Sequence, residues 1–387
     1  PNSALYGAQT QRAVDDFPIS GIKMDFPFTN SFISALGLIK DAAARSNKSL
    51  GLLSIKKANA ISRSAREVWQ NKHNEQFPID VFQTGSGTSS NMNVNEVIAN
   101  LSSKKSNIDI DPNDDVNMSQ SSNDVIPTAI KVSAHIDLTK KLFPALNILI
   151  KTIEDKADSL KNILKTGRTH LMDAMPLEFQ QELSAWVSQL KNSKKSFHFL
   201  EKRILEMPLG GTAVGTGINA HPRFAKSFAK ELSTLSGGKF KYIPSEDFFH
   251  ELSAQDTAVQ VSGELKNLAI ILLKISNDLR WMNSGPLAGL SEIELKALQP
   301  GSSIMPGKVN PVIPEAVAMA SADVIGNDVS ISIGAQSGNF QLNVMLPVID
   351  YNILKSINIF SASMNLLATK AIKSFKVNKN SVQKSLD

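Results

Sequence analysis

The chain has 387 residues, of which 42% are apolar and 20% charged, with a net charge of +5. That is enough for two or three domains and a large core in an ordinary globular composition. The excess positive charge is spread over lysines with no basic block, so nucleic acid is not demanded, while an anionic substrate is favoured. Cysteine is absent, which excludes disulfides, thiolate nucleophiles and thiol-rich metal sites.

No continuous apolar run reaches membrane-spanning length, the longest being Leu268–Leu273, and the N-terminus lacks the apolar core of a signal peptide. The expectation is a cytoplasmic protein without a membrane partner. The opening Ala4–Arg12 is polar and too short to fold alone. Residues 30–72 predict helices, with Ile33, Leu36, Leu38 and Ile39, then Ile55, Ala58, Ile61, Ala65 and Val68, at three-to-four spacing.

Thr84–Asn91 is a run of eight small or polar residues ahead of a helix-like Val94–Leu101. Glycines there let backbone amides approach a ligand, and Ser86 and Thr88 flank Gly87 with hydroxyls that can donate to a carboxylate. A solvated turn before a helix explains the same composition. A third polar loop, Asp111–Asn123, reads DPNDDVNMSQSSN, with Pro127 following in a helical pattern. Ser121, Ser122 and Asn123 therefore lie near a helix N-terminus, where unpaired N–H groups attract anions. N-capping is their ordinary role, and the two roles can coexist.

From Val125 to about Leu205 the pattern is nearly all helical, interrupted at Gly167-Arg168-Thr169-His170 and Pro176. The glycine-rich Leu209–Gly217 has no β-branched strand before it and reads as a turn between helices. Ala258–Trp281 carries Val261, Leu265, Leu268, Leu272, Ile275 and Leu279 on one face, and its apolar middle predicts burial on every side. More helices follow, broken near Ser337-Gly338-Asn339. There is no internal repeat. The predicted fold class is all-α.

Pro300–Glu315, PGSSIMPGKVNPVIPE, is the most informative segment. A Walker-type phosphate loop needs four residues between its glycines and a hydroxyl after the lysine. Here five residues separate Gly301 from Gly307, and Val309 follows Lys308, so that reading fails. What remains is a loop with hydroxyls at Ser302 and Ser303, a cation at Lys308, an amide at Asn310 and a carboxylate at Glu315. The six histidines are scattered, with none paired at i,i+4, so no metal site is expected and the natural reading is cofactor-free acid/base chemistry on a carboxylate.

The same segment resembles the GSSxMPxKxN signature of the fumarase/aspartase superfamily, and the other polar loops match that family's regions in the same order along the chain. The resemblance implies an all-α fold built on a long central helical bundle, with an N-terminal domain over 1–118, a bundle domain over 119–368 and the start of a small C-terminal domain over 369–387. It implies a homotetramer whose active sites are shared between subunits and whose substrate is a small dicarboxylate. Ser302 is then the base that removes the C3 proton. His170 handles the water or hydroxyl, with Glu315 orienting it, and Ser86, Gly87, Thr88, Ser121, Ser122, Asn123, Thr169, Ser303, Lys308 and Asn310 bind the substrate. Lys308 and Asn310 suit the dianionic aci-carboxylate formed when the proton leaves. Taken alone, a loop serine or a histidine after a turn is more often structural.

Within the superfamily, His170, the TGSGT at Thr84–Thr88 and Gly307 all resemble class II fumarases, where aspartases typically place Gln, GGAGT and Ala. Ser337–Asn343 is similar to the fumarase SGNFELN. Fumarate hydration is the activity implied, with aspartate ammonia-lyase and a non-catalytic crystallin-like homologue as the alternatives. One region departs from the family. Asp111 and Ile108 stand where many fumarases have a histidine and a basic residue, and Met118 where a lysine is common. A secondary dicarboxylate site around Asp111, Asn113 and Asp114 is therefore expected to be weak or missing.

Overall fold

The computed structural model describes residues 4–24, 30–299, 301, 304–305 and 308–386. Its helices are α1 (Ala8–Asp16), α2 (Asn30–Ser49), α3 (Ile55–Trp69), α4 (Thr88–Ser106), α5 (Ser122–Asp137) and α6 (Phe143–Ser159). A hairpin of β1 (Leu164–Thr169) and β2 (Met172–Glu178) interrupts the series. It resumes with α7 (Phe179–Ile204), α8 (Phe224–Leu235), α9 (Phe248–Ser253), α10 (Asp256–Met282), α11 (Val312–Ala335), α12 (Leu346–Leu366) and α13 (Lys379–Lys384). The remaining strands among the described residues are two residues long, so the all-α class holds.

The chain divides into two compact units that interleave in sequence, whereas the domains read from the sequence are consecutive. One comprises residues 1–137, 200–262 and 327–355. In it α2 packs against α3, α5 and α8, burying Phe32, Ile33, Leu36 and Ile39 with Ile61, Ala65 and Val68 of α3. The apolar spacing seen in the sequence is thus the packing stripe of each helix. The other comprises residues 138–199, 263–326 and 356–387, and it contains the β1–β2 hairpin, against which α13 packs.

Two apolar helices are more exposed in the single chain than their composition suggests. Ile270, in the apolar middle of α10, is 56% exposed, so that helix is not buried on every side in the single chain. Helix α11 is long and apolar enough by composition to cross a membrane, with a mean hydropathy of 1.2 and 33% of that stretch buried. Its apolar residues are dispersed among Glu315, Asp323 and Asp328, so a search for unbroken apolar runs passes over it.

Helix α5 carries a buried histidine, His135, whose Nδ1 lies 2.9 Å from the Tyr242 hydroxyl and whose ring meets Phe240 edge-on at 4.4 Å. Burial lowers its pKa from 6.5 to about 4. The folded state therefore holds it neutral while the unfolded chain takes up a proton below about pH 6.5. The stability it contributes is present above that pH and is lost as pH falls toward 4, by up to about 3 kcal/mol. Thermal unfolding of wild type and His135→Gln at pH 7 and pH 4.5 should show the smaller acid-side loss in the variant. Equal losses would refute the assignment.

Candidate functional site

The first unit brings three loops together. Gly87, in the left-handed region at φ 72°, caps α4, and its N–H bonds Thr84 O at 2.8 Å. This starts the helix at Thr88, earlier than the apolar pattern predicts. Ser86 is buried and its Oγ lies 2.8 Å from Thr88 Oγ1, so one hydroxyl of the pair holds the other in place. Ser121 does cap α5: its Oγ accepts from Asn123 N at 3.2 Å, while Asp124 returns a carboxylate to Ser121 N at 2.9 Å. This is a reciprocal capping arrangement with Asp in the usual Glu position.

Ser121 and Ser122 line a cavity of about 380 Å³ together with Asn117, Gln120, Thr212, Ala213 and Asn219. Asn123 donates through Nδ2 to Ala213 O at 2.8 Å and so ties the serine loop to the glycine-rich loop. Asp124 makes the same tie more strongly, accepting from Gly210 N at 3.0 Å and Thr212 N at 2.8 Å. The segment read as a plain turn is therefore one wall of this cavity. Asn117, Gln120, Thr212, Ala213 and Asn219 were not singled out in the sequence. An Asp three residues after a capping Ser was the available signal for Asp124.

Asp111, Asn113 and Asp114 are exposed. Asp111 Oδ1 accepts from Asn113 N at 2.7 Å and Asp114 N at 2.8 Å, capping the short turn Pro112–Val116. The backbone donors an incoming anion would use here are thus already held by a carboxylate.

In the second unit, Thr169 and His170 sit at the exposed tip of the β1–β2 hairpin. His170 and Leu171 have φ of 56° and 62°, and Thr169 pairs with Met172, which makes a two-residue turn of the primed type. The hairpin base is anchored by charge. Buried Glu292 accepts from Lys165 at 2.7 Å and from Arg168 at 2.6 Å, and Lys165 also bonds Glu182 at 2.6 Å. A rigid base fixes where the tip stands.

Lys308, Asn310 and Glu315 line an open groove of about 1330 Å³, whose other walls include Arg280, Ser284, Glu294, Lys376 and Lys379. Lys308 is exposed, and four cations face two carboxylates along this lining, so the groove favours an anion. Asn310 Nδ2 donates to Gly301 O at 2.9 Å, which closes the neck of the signature loop. Glu315 lies in the first turn of α11, where the helix dipole favours a carboxylate. It shares no hydrogen bond or ion pair with His170 among the described residues. Ser302 and Ser303 lie outside the described residues.

Compared with known proteins, the chain matches the model of the lyase family over residues 1–326. It is 54% identical over 386 residues to a class II fumarate hydratase of Pseudomonas aeruginosa, covering 100% of this chain and 83% of that protein. It is 44% identical over 391 residues to the class II fumarate hydratase of Bacillus subtilis, again covering 100% and 83%. Among solved structures, a class II fumarase from Schistosoma mansoni superposes with a TM-score of 0.97 at 36% identity, covering 100% of this chain and 84% of that one.

Proposed function

The chain belongs to the class II fumarases of the lyase family, and from that premise we propose that it hydrates fumarate reversibly to L-malate in the cytoplasm. In the hydration direction water adds its oxygen at C2 and gives its proton to His170, which Glu315 orients. Ser302 delivers a proton to C3. The dianionic aci-carboxylate between these steps is held by Lys308 and Asn310, and the second carboxylate by Thr88, Ser121, Ser122 and Asn123, with Ser86, Gly87, Thr169 and Ser303 completing the donor set.

The observation that carries the reading is the cationic groove holding Lys308, Asn310 and Glu315, matched in the other unit by a serine-lined cavity of dicarboxylate scale. The reading further holds that the working form is a homotetramer whose sites draw residues from several subunits. Exposed apolar residues on long helices, such as Ile270, Met319 and Ile333, supply surface for such contacts.

Fumarate absorbs in the ultraviolet, so adding L-malate should raise absorbance, and adding L-aspartate should not. Activity with aspartate alone would overturn the assignment, and activity with neither would favour a non-catalytic homologue. At the secondary site, Asp111 occupies the local amides, and dicarboxylate density is expected to be missing there in crystals soaked at moderate concentration. Clear density beside Asn113 and Asp114 would contradict this.

A further inference from the structure

Lys40 lies on α2 one turn beyond Leu36, on the stripe that builds the core, and it is fully buried. Its Nζ donates to Asn117 Oδ1 and Gln120 Oε1, each at 2.9 Å. Both acceptors are neutral amides, and among the described residues no carboxylate lies within ion-pair distance of it. An ammonium desolvated without a direct counter-ion costs several kcal/mol. Packing alone is a poor reason to keep it there.

Its partners are the residues that form the floor of the serine-lined cavity. Asn117 Oδ1 also accepts from Asn91 and Asn95, each at 3.2 Å, so that oxygen is turned wholly into the protein. Gln120 spends its amide hydrogens on Val116 O and Met118 O, at 3.1 and 3.0 Å. Asn91 Nδ2 donates onward to Ser122 Oγ at 3.0 Å. A hydroxyl oxygen that accepts from behind has its own proton left to donate forward. On the far side of the loop, Asp124 is held by three backbone N–H groups and acts as the distant opposite charge to Lys40. Burial lowers the Lys40 pKa and raises that of Asp124, each to about 7, while their mutual attraction opposes both shifts.

We propose that Lys40 is a positioning residue for dicarboxylate binding. Its buried ammonium draws the carbonyl oxygens of Asn117 and Gln120 away from the cavity, leaving the Ser122 hydroxyl, which accepts from Asn91, to donate toward the ligand. This deepens the fumarase reading and rests on it, since the ligand is taken to be a dicarboxylate. Without Lys40 the Gln120 oxygen loses its donor and is free to turn toward the ligand and repel it, while the Asn117 oxygen keeps only the two longer bonds from Asn91 and Asn95.

The test is made on the full chain with three variants. In Lys40→Met the KM for L-malate should rise at least about ten-fold with kcat changed by less than about three-fold, and succinate binding measured by calorimetry should weaken in parallel. Lys40→Arg, which keeps the cation, should recover most of the affinity. Should Lys40→Met fail to fold, Lys40→Met/Gln120→Met removes both ends of one hydrogen bond, the milder change. It still leaves Asn117 without its cation, so succinate affinity should fall at least about three-fold. Wild-type affinity in either folded variant overturns the proposal, as does an unrescued loss in Lys40→Arg. If wild type turns over malate and the variants bind normally, this inference alone fails. If wild type binds no succinate, the dicarboxylate reading falls and takes this inference with it.

Discussion

His170→Asn is expected to lower the rate of fumarate hydration by about 10²- to 10⁴-fold, the usual contribution of a positioned acid/base group. The loss should fall on kcat, because an exposed side chain at a hairpin tip contributes little to holding a substrate whose carboxylates are bound elsewhere. Asparagine adopts left-handed backbone readily, so the turn at φ 56° accepts it and folding should be unchanged. Stopped assays with equal amounts of wild type and variant, with melting temperatures alongside, make the comparison. Activity within ten-fold of wild type would remove His170 from the mechanism.

Gly301→Ala should lower kcat/KM by about 10²-fold through geometry alone, since misplacing a reacting group by about an ångström has that effect. A Cβ on Gly301 would stand 1.9 Å from the Lys308 carbonyl oxygen and 2.7 Å from its carbon. Backbone cannot yield as a side-chain end can, so the two ends of the loop must part, and the Asn310 bond to Gly301 O breaks with them. Lys308 then leaves its place. Its described residues Ile304, Met305, Lys308 and Val309 are exposed, so the melting temperature should change by only a few degrees. A variant with activity within three-fold of wild type would show that the neck does not set the position of Lys308.

The helical framework was legible because the large apolar side chains that α2, α3 and α10 bury recur at the helical period. The hairpin inside the long helical stretch was not. In β1 the buried residues are Lys165, Thr166 and Gly167, held by ion pairs and hydrogen bonds, so no hydrophobic alternation announces a strand. Ile270 is exposed in the single chain, because the burial that its apolar surroundings imply was expected from a bundle that continues into neighbouring subunits.

The site shows the same contrast. Ser121 as a cap could be read from adjacent letters, and the structure bears that out. Lys40 could not, because its partners lie 77 and 80 residues away and a lone lysine in a helix suggests solvent. Its position among Leu36, Ile39 and Ala43 was the one hint. The glycine-rich loop joins the serine loop through contacts spanning 86 and 88 residues, which sequence-local reasoning does not reach.

The hairpin tip has a consequence for how this protein would respond to selection. Two adjacent left-handed positions are filled by His170 and Leu171, where Asn-Gly would relieve the backbone. Stability therefore favours replacing both residues, while the proposed proton transfer requires only the histidine. A library chosen only for survival of heating should drift toward Asn-Gly at the tip and become durable but inactive. One selected for growth on malate should keep the histidine and relax only Leu171.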